Sequence, residues 1–259
     1  MTTTCRHDCS SREIFPDREE LLSVPVRTAR VPNACLALVT IAGMEALAGN
    51  AARLAELFSP VEVQHIRGFR FAKRRHEWMA GRVAAKAAAR SFLGSDRHLP
   101  APSGMTLLAD AHGRPEPGPG WPARIGRPSI SHSHAHCVAM VSAGACGVDL
   151  QRIEERIIGL EKRIIRSVEQ KELARQAGLD RAAALTLAWS AKEAVKKMAL
   201  GDRPGLFEAI VVDRVTPVDG RRWRLRCYLA ETGQALAVEA FFMERYILAW
   251  CMTGGDNNA

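Results

Sequence analysis

The sequence predicts a mixed helix-and-strand fold made of two similar halves. Three observations lead there. Nine-residue blocks running from Trp to Lys occur twice, Trp78-Met-Ala-Gly-Arg-Val-Ala-Ala-Lys86 and Trp189-Ser-Ala-Lys-Glu-Ala-Val-Lys-Lys197. Each block follows a capping box, Ser59-Pro-Val-Glu62 in one half and Ser167-Val-Glu-Gln170 in the other. Each also precedes apolar stretches that read as strands, as a duplicated unit would. Chance similarity between Ala-rich helices is the alternative reading. A cleft between two such halves is the natural place for a ligand.

In chain order, residues 1–25 are polar and mixed in charge and are expected to form a partly ordered arm. An N-terminal lobe over 26–144 and a C-terminal lobe over 145–252 follow, and 253–259 read as a loose tail. Residues 31–42 alternate loosely and predict the first strand. Residues 44–58 carry an Ala- and Leu-rich helical pattern. Ser59-Pro60 starts a new helix, with Pro at its first position. A longer helix is expected over about 75–92, ended by Gly94. Residues 112–128 are dense in Gly and Pro and read as a loop. The apolar stretches 136–142 and 146–150 flank Ala143-Gly144 and predict a hairpin. Residues 153–176 and 181–199 read as helices. Residues 208–215, 222–229 and 236–251 read as three strands.

The chain has 259 residues, with 36 Lys and Arg against 28 Asp and Glu, a net charge of +8. A basic surface suits an acidic or phosphate-bearing partner. Aromatic residues make up only 6% and no nucleic-acid module is recognisable, so nucleic acid is not the expected partner. Seven cysteines, an odd number without a regular spacing, point away from a disulfide framework. Cys5-Arg-His-Asp-Cys9 resembles a metal clip but lacks a second ligand pair nearby. The start of the chain carries no signal-like apolar stretch, and no run approaches the ~18 apolar residues of a membrane helix. A soluble, cytoplasmic protein is expected.

Four stretches carry candidate chemistry. On a helix, Trp189, Lys192, Glu193, Lys196 and Lys197 share one arc of about 140°. Leu187, Ala191, Ala194, Val195 and Met198 lie opposite. The apolar side is expected to pack inward and the charged side to look out. An exposed Glu193–Lys197 pair is the plain explanation, but the Trp on the charged side favours a cleft. Asp149 and Gln151 point to one side of a strand, where their oxygens can hold a hard cation. A strand-end Asp capping a turn is the alternative. Ser129-Ile-Ser-His132-Ser133 packs hydroxyls and an imidazole that can bind an anion. His132, His134 and His136 alternate, as in a transition-metal site on one strand face, though no fourth ligand is evident.

The order of these stretches is distinctive. Gly113-Arg-Pro115, Ser129-Ile-Ser-His-Ser133, Gly147-Val-Asp-Leu and Trp189-Ser-Ala-Lys-Glu-Ala-Val-Lys-Lys197 together resemble the ordered motifs of the 4′-phosphopantetheinyl transferases. The similarity is to the two-lobed type that activates enterobactin and surfactin synthetases. Arg74-Arg-His-Glu-Trp-Met-Ala-Gly-Arg82 is similar to that family's N-terminal helix. The resemblance implies an α+β fold of two lobes related by a pseudo-twofold, with coenzyme A between them. It implies transfer of the phosphopantetheine arm to a serine of an apo acyl, peptidyl or aryl carrier protein by a monomer. It places Mg²⁺ on Asp149 and Glu193, with Gln151 as a further ligand. Coenzyme A would meet Arg75, Arg82, Arg114, Ser131, His132 and Lys192. Glu193 would take the serine proton, and Lys197 would sit at the pyrophosphate being cleaved. One departure stands out: the family pattern Gly-x-Asp-x-Glu ends here in Gln151, which brings no charge to the metal. A member that only binds coenzyme A or a carrier, without catalysis, is the competing reading.

Overall fold

A computed structural model describes residues 14–22, 24–94, 99–175, 179–201 and 206–253. The Cys5–Cys9 motif and nearly all of the expected tail lie outside these residues. The chain opens with a meander of β1 (Asp17–Leu21), β2 (Val24–Val31) and β3 (Ala34–Thr40). Helices α1 (Gly43–Ala48), α2 (Ala51–Leu57), α3 (Pro60–Arg67) and α4 (Ala72–Leu93) follow. A short ribbon of β4 (Leu107–Ala109) and β5 (Pro115–Pro117) leads to β6 (Ser129–Ser133) and β7 (His136–Ser142). The first sheet has the order β1-β2-β3-β7-β6.

The second half runs through β8 (Cys146–Arg152), α5 (Glu161–Ile164), α6 (Ser167–Arg175) and α7 (Arg181–Val195). It closes with β9 (Ile210–Pro217), β10 (Arg222–Leu229), β11 (Ala235–Met243) and β12 (Tyr246–Met252). The second sheet has the order β8-β12-β11-β10-β9. The fold is α+β, as the sequence predicts.

Alternation along the strands sets the layers. In β3, Cys35, Ala37 and Val39 join the core under α4, while Leu36 and Leu38 face the other way. In β12, Ile247, Ala249 and Cys251 join the core under α7, while Tyr246, Leu248 and Trp250 meet Leu36 and Leu38 in a third core. The two sheets therefore pack on each other, with helices outside both. Half of the buried residues of α4 are Ala, which lets the helix lie close on β3 and β7.

Several sequence expectations are corrected by these contacts. The strand expected over 31–42 is β3, which starts only at Ala34 because Asn33 turns the chain out of β2 at φ 61°, a left-handed conformation Asn tolerates. Residues 17–25, expected in the arm, contribute to β1 and β2. The helix over 44–58 breaks at Asn50, whose side chain caps α2 by accepting the Arg53 N–H. The loop over 112–128 contains β5. Residues 155–160 form a 3₁₀ turn rather than α-helix. The segment 236–251 is two strands reversed at Glu244, φ 53°. The hairpin expected around Ala143-Gly144 does not form: both edges of β7 are taken, by β3 and β6, so β8 pairs with β12 in the other sheet.

The internal repeat holds, in a different register. Lys86 is fully buried, 2.5 Å from Glu62 Oε2 and 2.9 Å from the Leu57 carbonyl. Lys192 is equally buried, 2.9 Å from Glu169 Oε2 and 2.8 Å from the Ile164 carbonyl. Glu62 also accepts the N–H groups of Ser59 and Leu107, and Glu169 those of Arg166 and Val212. Each acid thus ties a helix start, the preceding chain and a following strand to one lysine. Lys192, not Lys197, is the counterpart of Lys86. The second cap is correspondingly built on Arg166 and Glu169, one residue before the Ser167–Gln170 box.

The halves meet at a row of hydroxyls. Ser129, Ser131 and Ser133 Oγ accept the N–H groups of Val148, Leu150 and Arg152 at 3.0, 3.2 and 3.1 Å. These are the amides that β8 does not spend on β12, and buried amides need partners.

Removing one member of a buried ion pair strands the other. Lys86→Met and Lys192→Met should each cost about 3–5 kcal/mol in urea unfolding. A loss below about 1 kcal/mol for either, the range of an exposed pair, would contradict the buried knot.

Candidate active site

On β8, Val148 and Leu150 enter the core between the sheets, so Gly147, Asp149 and Gln151 face the α7 side. The approach is close: a Cβ on Gly147 would lie 1.9 Å from the Ala194 carbonyl oxygen. Glycine is what lets the strand reach the helix. At this point α7 continues as a π-helical turn over Lys196–Leu200, a distortion often found at functional sites.

Lys197 Nζ donates to the Val148 carbonyl at 2.9 Å and to Asp149 Oδ1 at 2.8 Å. The Ser131 hydroxyl donates to the same Oδ1 at 2.8 Å. Asp149 is 5% exposed, and its Oδ2 is buried with no hydrogen-bond partner among the described residues. Glu193 stands nearby, half-buried. Burial, and then the Asp149 charge, raise its carboxyl above the ordinary range, against the pull of Lys197 and Lys196. An orphan carboxylate oxygen beside a second acid that resists ionisation is a donor set suited to a hard divalent cation. No group of three or more His, Cys, Asp or Glu forms a metal cluster among the described residues. The oxygens on offer therefore come from Asp149 and Glu193, with neutral Gln151 on the same side of β8. Gln151 lines a neighbouring depression of about 400 Å³ with Trp189 and Glu154.

A cleft of about 650 Å³ opens beside Glu193, walled by Lys196, Lys197, Arg114, Arg127 and His112. Asp110 organises its rim. Its Oδ1 accepts the N–H groups of His112 and Arg114, both at 2.9 Å, and its Oδ2 takes Arg114 Nε at 2.8 Å and Arg127 Nη1 at 2.9 Å. These bonds hold the Asp110 carboxyl far below the usual range despite some desolvation. His132 Nε2 lies 3.5 Å from Glu77 Oε2. Burial lowers the His132 pKa; Glu77 opposes that, and the cations Arg74, Lys197 and Lys73 add to it. The imidazole is thus biased toward neutrality in a field of positive charge. Such a field favours a phosphate-bearing ligand.

Glu193, Lys197 and Arg114 line this cleft, Asp149 stands behind it on Lys197 with Ser131 bonded to the same oxygen, and His132 lies within the field of Lys197. Other candidates fall elsewhere. Lys192, expected on a solvent-facing arc and at coenzyme A, is sealed in the knot with Glu169, because the second half folds its own acid over it. Arg82, expected at phosphates, is buried. It donates to the Leu107 and Leu108 carbonyls at 3.1 and 2.7 Å and stacks 4.1 Å from the Trp78 ring. Burial lowers its guanidinium pKa to about 10, and its contacts latch β4 to α4. Arg75 is half-buried and outside the cleft wall. The three alternating histidines do not share a strand face. His132 ends near Glu77, His134 sits in the turn beside Glu154, and His136 packs edge-on against Tyr246.

The sequence reading gives no role to Arg127, His112 and Asp110, and places Lys196 on the charged arc without assigning it one. The Asp110-Ala-His-Gly-Arg114 spacing was the available signal: an Asp two and four residues before the amides it accepts, with Gly113 at φ 81°.

Residues 145–251 match the sequence profile of the 4′-phosphopantetheinyl transferase superfamily. The match contains Asp149, Glu193 and Lys197 but not β6 or the Asp110 loop. Enterobactin synthase component D from Salmonella austin is 32% identical over 146 residues, 56% of this chain and 56% of that protein. Its counterpart from Escherichia coli O157:H7 is 36% identical over 127 residues, 48% of this chain and 54% of that protein. The chain spans about half the length of the curated relatives it matches. Among solved structures, a holo-(acyl-carrier-protein) synthase from Bacillus anthracis aligns at a TM-score of 0.37 and 22% identity, over 42% of this chain and 92% of that one.

Within the matched segment, burial and then the Asp149 charge hold the Glu193 carboxyl above its ordinary range. In metal-free Asp149→Asn protein a like charge is gone, so the Glu193 carboxyl should titrate at lower pH than in wild type. Carbon-detected NMR of the glutamate carboxyls measures this, and an unchanged midpoint would separate the two groups.

Proposed function

We propose that the protein transfers the 4′-phosphopantetheine arm of coenzyme A to a serine of an apo acyl, peptidyl or aryl carrier protein and releases 3′,5′-ADP. The observation that carries this reading is Asp149. One of its oxygens is held by Lys197 and Ser131 and the other is buried and unpartnered, beside a cleft lined with cations. The superfamily match across the same residues supports it.

In this reading Asp149 and Glu193 hold Mg²⁺, with Gln151 as a neutral neighbour. Bound there, Mg²⁺ supplies charge neutralisation for the diphosphate. Lys197 and Lys196 face the diphosphate, and Arg114, Arg127 and His132 serve the remaining nucleotide phosphates. The carrier's serine oxygen attacks the phosphorus that bears the pantetheine arm. The bond from that phosphorus to the bridging oxygen breaks, and 3′,5′-ADP leaves with the electron pair. Glu193 accepts the serine proton, as a positioned carboxylate can. Fixed cations around the phosphates stabilise the charge that develops without having to reorganise. Carrier domains are acidic, so the net charge of +8 would speed the encounter. We further infer a monomer, since one chain supplies both halves. We also infer a reducing cytoplasm, since the five described cysteines are buried and not disulfide-bonded.

The test is the mass of an apo carrier after incubation with the protein, coenzyme A and Mg²⁺. Wild type should add one phosphopantetheine arm, and Glu193→Ala should not. Coenzyme A binding without release of 3′,5′-ADP, across acyl, peptidyl and aryl carriers, would establish the non-catalytic reading instead. Gln151→Glu adds a charged ligand and should lower the Mg²⁺ concentration needed for half activity. A requirement that is unchanged or raised would remove Gln151 from the metal site.

A further inference from the structure

We propose that Ser131 is a positioning residue for the metal-holding carboxylate of Asp149 and not a coenzyme A contact. The inference rests on the reading above for the identity of the cation, and on the geometry of β6 and β8 for everything else.

Three serines on one side of β6 do the same work for the seam. Each accepts one amide hydrogen from β8. Ser131 alone among the three also donates to a carboxylate. Its hydroxyl accepts the Leu150 N–H, so its own proton is free to point at Asp149 Oδ1. Ser131 is 7% exposed, with its hydroxyl engaged on both counts. A phosphate oxygen would have to displace one of these bonds to reach it.

The consequence falls on Asp149. Its Oδ1 receives a hydroxyl from the first half and an ammonium, Lys197, from the second. Rotating the carboxylate would break both bonds, so Oδ2 stays the oxygen without a partner. The register of the seam is thereby written into the orientation of the ligand. A slip of β6 by one residue would bring Ile130 or His132 to Asp149, and neither could repeat the Ser131 pair of bonds. Hydrogen bonds that orient a ligating carboxylate are commonly worth about 10–100-fold in metal affinity.

The other two serines are the controls, because Ser129→Ala and Ser133→Ala each remove one seam bond but leave Asp149 alone. The experiment measures Mn²⁺, as a surrogate for Mg²⁺, by EPR on the full-length metal-free proteins. Coenzyme A binding without metal is measured alongside by calorimetry, and melting temperature on every variant. Ser131→Ala should weaken Mn²⁺ binding about tenfold or more. Ser129→Ala and Ser133→Ala should bind Mn²⁺ as wild type does, with melting temperatures lowered to a similar extent as Ser131→Ala. Ser131→Thr, which keeps the hydroxyl, should bind Mn²⁺ close to wild type, and it replaces Ser131→Ala as the informative variant if the latter does not fold. Metal-free coenzyme A affinity should be the same in all. Equal Mn²⁺ binding by Ser131→Ala and the control variants, or a loss of metal-free coenzyme A binding specific to Ser131→Ala, overturns the positioning role. Wild-type protein that binds no Mn²⁺ overturns the metal assignment itself, which is a failure of the preceding reading and not of the seam geometry.

Discussion

Two edge strands lie side by side in this protein without joining into one sheet, and the serine hydroxyls of β6 are the reason. β8 spends alternate amides on β12 and presents the others toward β6. Carbonyls in their place would extend the ladder and fuse the two sheets. A hydroxyl stands off the backbone by a side chain, so it satisfies the amide without making β6 a ladder partner of β8. The core between them, built from Leu36, Val148, Leu248 and their neighbours, depends on that arrangement. So does the cleft, because the seam brings Ser131 of one half against Asp149 of the other.

The strand-and-helix content was legible in the sequence for a local reason, whereas Asp149, Glu193 and Lys197 stood out only by the order of their motifs along the chain. Glu193 and Lys197 sit one turn apart on a helix, and Asp149 stands two residues after Gly147, whose lack of a side chain is visible in any sequence. What could not be read was decided by distant partners. A helical wheel assigns Lys192 to solvent, since it knows nothing of Glu169 folding over it. Arg82 looks like a phosphate ligand until β4 supplies two carbonyls to bind it. Ala143-Gly144 has the composition of a hairpin turn, but β7 had already been claimed on both sides. The alternating histidines read as one strand because the reversal at His134 uses a non-glycine residue at φ 52°.

Charge is distributed here according to burial. Lys86 and Lys192 are sealed with an acid and carbonyl oxygens each, an arrangement that leaves no lone partner in the interior. Lys196, Lys197, Arg114 and Arg127 remain partly open at the cleft, where a ligand can still reach them. Asp110 anchors two of these cations without burying them. A surface counted only by its net charge would not distinguish the two populations.

The paired knots also fix which residues correspond between the halves. The residue after Lys192 is Glu193, and the residue after Lys86 is Ala87. Counting on from each lysine, the place of Lys197 is taken by Ser91, whose carbonyl accepts a bond from Arg30. The framework, with its Lys–Glu knot, is present twice, and the pair Glu193 and Lys197 once. Changes at Ala87 and Ser91 of the first half therefore act on packing, whereas changes at the matching Glu193 and Lys197 of the second act on the charges of the cleft.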